Sequence, residues 1–299
     1  MAKHKPAFII LFLSLTTLFP QSLEEKLQSM VDDFHGKAGI YVYRFPTGNE
    51  ISINADTLFP TASMIKIPIM LAIFDRLSRQ ELTLDTTLVY YADSIHYPYK
   101  GGDALSRFRD GEGITLGKLM AHMLTFSDNH ASLWLQDIAG SGVTINRWLS
   151  DHGFFRTRMN SRTPGRQTDW EVYGWGQTTP REMAELLRGI YEQTWFNPYW
   201  SEKMYRYLCR SYWDGEALSQ IPPTVQIASK QGAVSESRSE VALVNAFQGD
   251  YLFCVITKNQ SDTRWTEDNE GYTLIRAVSR LLWTTFEPNS PWQPPVLHR

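Results

Sequence analysis

The chain has 299 residues, of which 42% are hydrophobic and 20% charged, with a net charge of -3. That length buries a large core in one domain or two closely packed ones, and the composition is that of a globular protein. There is no basic excess of the kind a nucleic-acid partner requires, so none is expected.

Lys3, His4 and Lys5 precede an apolar run from Ala7 to Leu18, broken only by Ser14, Thr16 and Thr17. Pro20, Gln21 and Ser22 then offer a processing region. The pattern predicts a signal peptide over residues 1–22 and an exported chain, periplasmic or extracellular. The run is short for a full span, so no stable membrane anchor is expected. Two cysteines, Cys209 and Cys254, are compatible with one disulfide or with two buried thiols.

Leu23 to Phe34 repeats Leu23, Leu27, Met30, Val31 and Phe34 at helical spacing. Ala38 to Arg44 alternates as a strand, Pro46-Thr47-Gly48-Asn49 turns, and Ile51 to Ile53 resumes as a second strand. Ser63 to Leu77 predicts an apolar helix. Thr115 to Leu124, Asn129 to Ile138 and Thr144 to Asp151 predict three more. Arg156 to Thr179 has no period and reads as one long loop, of the kind that is usually functional or disordered. Pro180 opens a helix with Met183, Leu186, Leu187 and Ile190 on one face. Strands are predicted at Val225–Ser229, Glu240–Phe247 and Tyr251–Thr257, then a helix at Tyr272–Trp283. The tail after Phe286 is Pro-rich. Two early strands, a helical block and three late strands predict an α+β fold in three layers. Its single antiparallel five-stranded sheet is built from both chain ends, flanked by helices on both faces, with an all-helical subdomain inserted. The expected units are residues 23–286, with an α/β part over 23–60 and 222–286 and a helical part over 61–221, followed by the tail 287–299.

Three short motifs carry chemistry. Ser63-Met64-Ile65-Lys66 sets a hydroxyl and an amine one helical turn apart, at a helix start where N–H groups stabilise negative charge. A serine hydroxyl needs a neighbouring base, and a lysine among apolar groups and cations supplies one. Ser127-Asp128-Asn129 offers a proton-relaying hydroxyl, a bracing carboxylate and an amide; the same residues also suit a helix cap. Lys230-Gln231-Gly232-Ala233 ends the first late strand, with a cation in Lys230 and, in Gly232, a place where a substrate backbone comes close.

Together the motifs resemble the S-x-x-K, S-D-N and K-T-G signature of class A β-lactamases and penicillin-binding proteins. The resemblance runs over roughly Leu23 to Trp283 and takes in Phe59-Pro60, Thr115-Leu116, Thr178-Thr179-Pro180 and Arg238-Ser239-Glu240-Val241-Ala242. It implies Ser63 as nucleophile, Lys66 as base, Ser127 as relay and Lys230 as the cation behind it. Asn129, Gln231, Gly232 and Ala233 would bind substrate, the amides of Ser63 and Ala233 would form the oxyanion hole, and Arg238 would hold a carboxylate. No metal or cofactor is implied, and the partner is a small β-lactam or a cell-wall peptide.

The chain departs from the family in two places. Gln231 stands where the third motif has Thr or Ser. In the Ω loop, Thr163 takes the register of the deacylating Glu and Gln167 that of its partner Asn. Ser161 and Gly176 take the places of the usual Arg–Asp bridge. Asp169 and Glu171 are the loop's carboxylates, neither in register: either the loop is rebuilt so that one of them reaches the water, or fast deacylation is absent. The sequence thus allows a β-lactam hydrolase with slow deacylation, a D-Ala-directed peptidase or esterase, or a non-hydrolysing penicillin-binding sensor.

Overall fold

A computed structural model describes residues 21–94 and 108–294. The first 20 residues of the predicted leader (1–22) and the last five residues of the tail, 295–299, lie outside the described residues, as do 95–107. Among the described residues no helix is long and apolar enough to cross a membrane.

Ser22 caps helix α1 (Leu23–Asp32), accepting from the Glu25 amide while the Glu25 carboxylate accepts from the Ser22 amide. This reciprocal cap satisfies two helix-end donors at once. Strands β1 (Lys37–Arg44) and β2 (Asn49–Ile53) follow, and the late chain supplies β3 (Ile227–Val234), β4 (Ser237–Val244) and β5 (Tyr251–Lys258). The five form one antiparallel sheet in the order β2-β1-β5-β4-β3. The predicted α+β architecture is therefore present, with both chain ends in one sheet.

Strand alternation divides the sheet between two cores. Ile40, Val42, Ala242, Val244, Phe253 and Val255 pack beneath α1 and the C-terminal helix α9 (Glu270–Phe286). Tyr41, Val241, Leu243, Leu252, Cys254 and Ile256 face the other way, into a larger core built from the middle of the chain. That block contains α2 (Lys66–Ser78), α3 (Leu116–Thr125), α4 (Asn129–Ile138), α5 (Ser141–Asp151), α6 (Gln167–Tyr173), α7 (Pro180–Tyr191) and α8 (Pro198–Leu208). Helix α2 runs through its centre with Ile67, Ile69, Met70, Leu71, Ile73 and Phe74 inaccessible to solvent.

Several boundaries differ from the sequence reading. The long loop at Arg156–Thr179 contains the short helix α6 and two strand fragments. Arg158–Met159 and Phe59–Pro60 flank Gly176–Thr178 in a small antiparallel sheet. Such pairings are non-local and leave no periodicity to read. Helix α8 was not anticipated; Asn197 caps it and Pro198 opens it. Strand β3 continues through Lys230-Gln231-Gly232-Ala233 rather than ending there, and β4 starts at Ser237. A two-residue turn, Ser235-Glu236, joins them tightly enough to keep both strands paired to the tip.

Gly39 on β1 shows how closely the layers meet. A Cβ there would lie 2.8 Å from the Phe59 ring and 2.9 Å from the Pro180 ring. Gly39→Ala should therefore lower stability by about 1–3 kcal/mol, as overpacking does, read as a fall in the urea midpoint. An unchanged midpoint would show that this junction yields freely.

Candidate active site

The turn that carries Ser63 is held from two sides. Phe59–Pro60 pairs with the Gly176–Thr178 fragment, and the Thr61 amide donates to the Gly176 carbonyl at 2.9 Å. Ala62 then takes a positive φ of 43° and the chain enters a 3-10 turn, Ala62–Ile65, before α2 begins at Lys66. A non-glycine residue in this region stores strain that its surroundings must hold. The predicted helix start at Ser63 is thus a tighter turn, with Lys66 as the first residue of the α-helix proper. Lys66 is fully buried, and its Nζ lies 2.9 Å from Ser63 Oγ.

The second motif closes the α3–α4 connection and performs both roles the sequence allowed. Asp128 caps α4, its carboxylate accepting from the Ala131 amide at 2.7 Å. Its neighbours turn into the cleft. Ser127, with φ of 58°, presents its hydroxyl 3.0 Å from Lys66 Nζ, and Asn129 presents Oδ1 at 2.8 Å. The Ser127 carbonyl also accepts from Lys66.

The third motif lies on β3, the edge strand beside the turn that carries Ser63. Lys230 is buried, and its Nζ donates to Ser127 Oγ at 2.9 Å and to the Gln231 carbonyl at 2.9 Å. Gly232 makes the approach possible. A Cβ there would meet the Ser63 amide nitrogen, the Thr61 carbonyl and Ser239 Oγ, each at 2.8 Å. Gln231 and Ala233 flank it on the alternate pleat, so their side chains leave the strand on the other side from Lys230 and Gly232.

Six predicted residues therefore converge: Ser63, Lys66, Ser127, Asn129, Lys230 and Gly232. Valence restricts the proton positions among them. Lys66 Nζ has four oxygen neighbours. The Ser127 carbonyl and Asn129 Oδ1 can only accept, so they take two N–H bonds. The remaining valence faces the hydroxyls of Ser63 and Ser127. An ammonium donates there, whereas a neutral amine offers a lone pair to the Ser63 proton. Lys230 is held well below the usual lysine range, first by burial and then by repulsion from Lys66, with Glu240 acting in the opposite sense.

Arg238 is a correction. It pairs with Ala233 and so lies on the pleat facing α9. Its guanidinium stacks between Trp265 and Tyr272, at 4.6 and 4.7 Å from the ring centres, and donates to the carbonyls of Ser237 at 2.9 Å and Arg264 at 2.7 Å. It is fully buried, on the face of the sheet opposite Gly232, and ties the β3–β4 hairpin to the chain before α9. The family match placed it by local sequence. A shift of one residue along a strand exchanges the two faces of the sheet, and Ser239, its neighbour, is the side chain that faces Gly232.

The Ω loop is built differently from the family scheme. Thr163 Oγ1 donates to the Ser161 carbonyl at 2.9 Å and packs against Gly142 of α5, where a Cβ would lie 1.8 Å from it. Gly176 is pressed against Ile65 and the Arg158 carbonyl and admits no side chain. The missing bridge is replaced by Arg166. It donates to Asn160 Oδ1 at 2.7 Å and Gln177 Oε1 at 2.9 Å, and pairs with Asp169 at 2.9 Å. Gln136 of α4 donates to the Ser161 carbonyl at 2.6 Å. Asp169 is thus engaged within the loop, and exposed Glu171 accepts from Gln167 at 3.3 Å. The sequence reading missed Arg166 and Gln136, and no local pattern marks either. Cys209 and Cys254 are both free thiols. His122 packs against Phe108 and Phe126 and is held below its ordinary pKa by burial.

Glu240, opposite Gln231 on β4, is a buried carboxyl that the sequence reading did not single out. Burial raises its pKa to about 8, against the pull of the Ala217 amide that donates to it at 2.9 Å. Its contribution to stability is complete below the ordinary value of 4.5 and is lost as pH rises through about 8. Glu240→Gln has no such proton to lose. Wild type should lose urea stability relative to the variant from about pH 5 to 8, and the gap should level off above that. A gap constant over the range would show a carboxylate ionised throughout.

Comparison with known proteins agrees with this geometry. The model of the β-lactamase enzyme family matches residues 22–286. A β-lactamase of Bacteroides uniformis is 26% identical over 295 residues, spanning 93% of this chain and 97% of that protein. Among solved structures, PBP-A superposes with a TM-score of 0.76 at 24% identity, covering 89% of this chain and 96% of that one. An ancestral class A β-lactamase superposes at 0.75 with 21% identity, covering 88% and 100%. With the three motifs in one cleft and the family model spanning nearly all of the described chain, the protein belongs to the β-lactamase enzyme family.

Proposed function

We propose that this chain opens β-lactam amides through an acyl-enzyme on Ser63 and releases the acid slowly. The observation that carries the acylation half is Lys66. Its Nζ stands 2.9 Å from Ser63 Oγ, with two of its valences directed at acceptor-only oxygens. As Ser63 Oγ bonds to the lactam carbonyl carbon, its proton passes to Lys66. The amides of Ser63 and Ala233 receive the oxyanion. Collapse breaks the carbon–nitrogen bond, and the nitrogen takes a proton from Ser127 as Lys66 passes the proton it took from Ser63 on to Ser127 Oγ, which both lysines contact. The ring is then open, the acyl group is an ester of Ser63, and no atom has been lost.

Release requires a base that takes a proton from water. Thr163, in the register of the family's Glu, is turned toward α5, and a threonine hydroxyl does not hold that proton at neutral pH. Asp169 is paired with Arg166, and Glu171 points to solvent. This supports acylation without rapid turnover, and it also favours a penicillin-binding role as the second reading. A mutant of PBP-A has been solved as an acyl-enzyme complex with penicillin G.

Intact-mass spectrometry with benzylpenicillin tests the first half. Wild type should gain one penicillin mass and Ser63→Ala none. Lys66→Ala and Lys230→Ala should each slow the gain by about 10²-fold or more, as loss of a base or a charge donor does. Labelling that survives Ser63→Ala would rule out the assignment.

The lifetime of the adduct tests the second half. Without a general base, hydrolysis should trail acylation by about 10²-fold or more. Thr163→Glu alone should not restore turnover, because the side chain at that position is directed at Gly142. Rapid turnover that falls about 10²-fold in Asp169→Asn or Glu171→Gln would show the loop carboxylate supplying the base. Rapid turnover of the wild type would in either case refute slow release, and rapid turnover that survives in both variants would also rule out the two loop carboxylates as the base.

A further inference from the structure

The segment after α8 is pinned to the end of α3, yet it turns two large aromatic side chains outward. The Tyr212 amide donates to the Thr125 carbonyl at 3.0 Å, and Trp213 Nε1 donates to the Phe126 carbonyl at 2.9 Å. The Tyr212 ring lies 5.6 Å from Phe126 and 5.1 Å, edge-on, from Trp213. Ser211 Oγ closes the segment on the Trp213 carbonyl at 3.0 Å. Despite these anchors Tyr212 is 54% and Trp213 46% exposed. Two rings held rigidly with open faces form a surface suited to stacking, at little cost in side-chain entropy.

Their position gives the surface a meaning. Phe126 directly precedes Ser127, so the indole N–H is fastened to the peptide that carries the relay hydroxyl. In the reading proposed above, on which this inference rests, Ser127 protonates the departing nitrogen. Groups borne on the departing half of the substrate therefore lie on the Ser127 side of the cleft, beside Trp213, while the acyl half remains with Ser63.

We infer that Tyr212 and Trp213 form an aromatic shelf that selects substrates carrying a flat, apolar or aryl substituent on the leaving-group half. Trp213 is the specificity-determining residue, its ring face stacking on that substituent and its N–H holding the shelf to the Ser127 turn. Tyr212 buttresses it from the side of Phe126.

Two cephalosporins separate this role from bracing alone. Nitrocefin bears an aryl-vinyl group on the ring attached to the departing nitrogen. Cephalexin has only a methyl group there and carries its aryl group on the acyl side. Acylation rate constants for the full chain would be followed by intact mass in wild type, Trp213→Ala and Trp213→Phe. In Trp213→Ala the nitrocefin-to-cephalexin ratio should fall about three- to tenfold, the range expected for one aromatic pair. Trp213→Phe, which keeps a ring but loses the N–H, should recover most of that ratio. A proportionate loss on both substrates without recovery in Trp213→Phe would reduce Trp213 to a brace for Ser127 and overturn the shelf. An unchanged ratio in both variants would overturn it equally. Wild type that is acylated by neither compound, nor by benzylpenicillin, would instead bring down the acyl-enzyme reading and the shelf with it.

Discussion

Ser127 Oγ lies 3.0 Å from Lys66 Nζ and 2.9 Å from Lys230 Nζ, and both amines are buried. Two like charges that close, with little solvent, raise each other's cost of ionisation beyond the cost of burial. The hydroxyl therefore sits between two buried amines, of which Lys230 is held well below the usual lysine range by burial and by Lys66. Three remote pieces of chain must meet to create this arrangement. Lys66 comes from the start of the central helix, Ser127 from the α3–α4 connection and Lys230 from the sheet edge. Their meeting depends on close backbone approach, which is why Gly232 has no room for a side chain beside the Ser63 amide.

Strain is stored on both sides of that meeting point. Ala62 and Ser127 both have positive φ, and each is followed by a helix whose packing holds it in place. The first is tied through Thr61 to Gly176, the second through the Asp128 cap to Ala131. The turn that carries Ser63 thus leans on the Ω loop, so any change in how that loop is held is transmitted to Ser63.

The loop is held here by a cation among amides. Arg166 gathers Asn160, Gln177 and Asp169, and Gln136 fastens Ser161 from α4. An arginine fork in this role satisfies several acceptors from one side chain. It also occupies Asp169, the carboxylate closest in sequence to the missing base. The side chain that replaces the family's bridge thus also holds one of the loop's two carboxylates.

Local patterns in the sequence determined much of this. The spacing of Ser63 and Lys66, the Asp128 cap, the strand alternation of Ala38–Arg44 and Tyr251–Thr257, and the absence of a carboxylate at Thr163 are all properties of short windows. Each depends on neighbours within a few residues, where helix and strand periods act. The tertiary structure alone decided which pleat Arg238 takes, that Arg166 is the centre of the Ω loop, and that Glu240 is buried and Trp213 exposed beside Ser127. It also decided that Lys66 and Lys230 share one hydroxyl. These are matters of strand register and of contacts between elements far apart in the chain. A single residue of register reverses a side chain's face, and a cation's partners are set by whatever the folded core brings within about 3 Å of it.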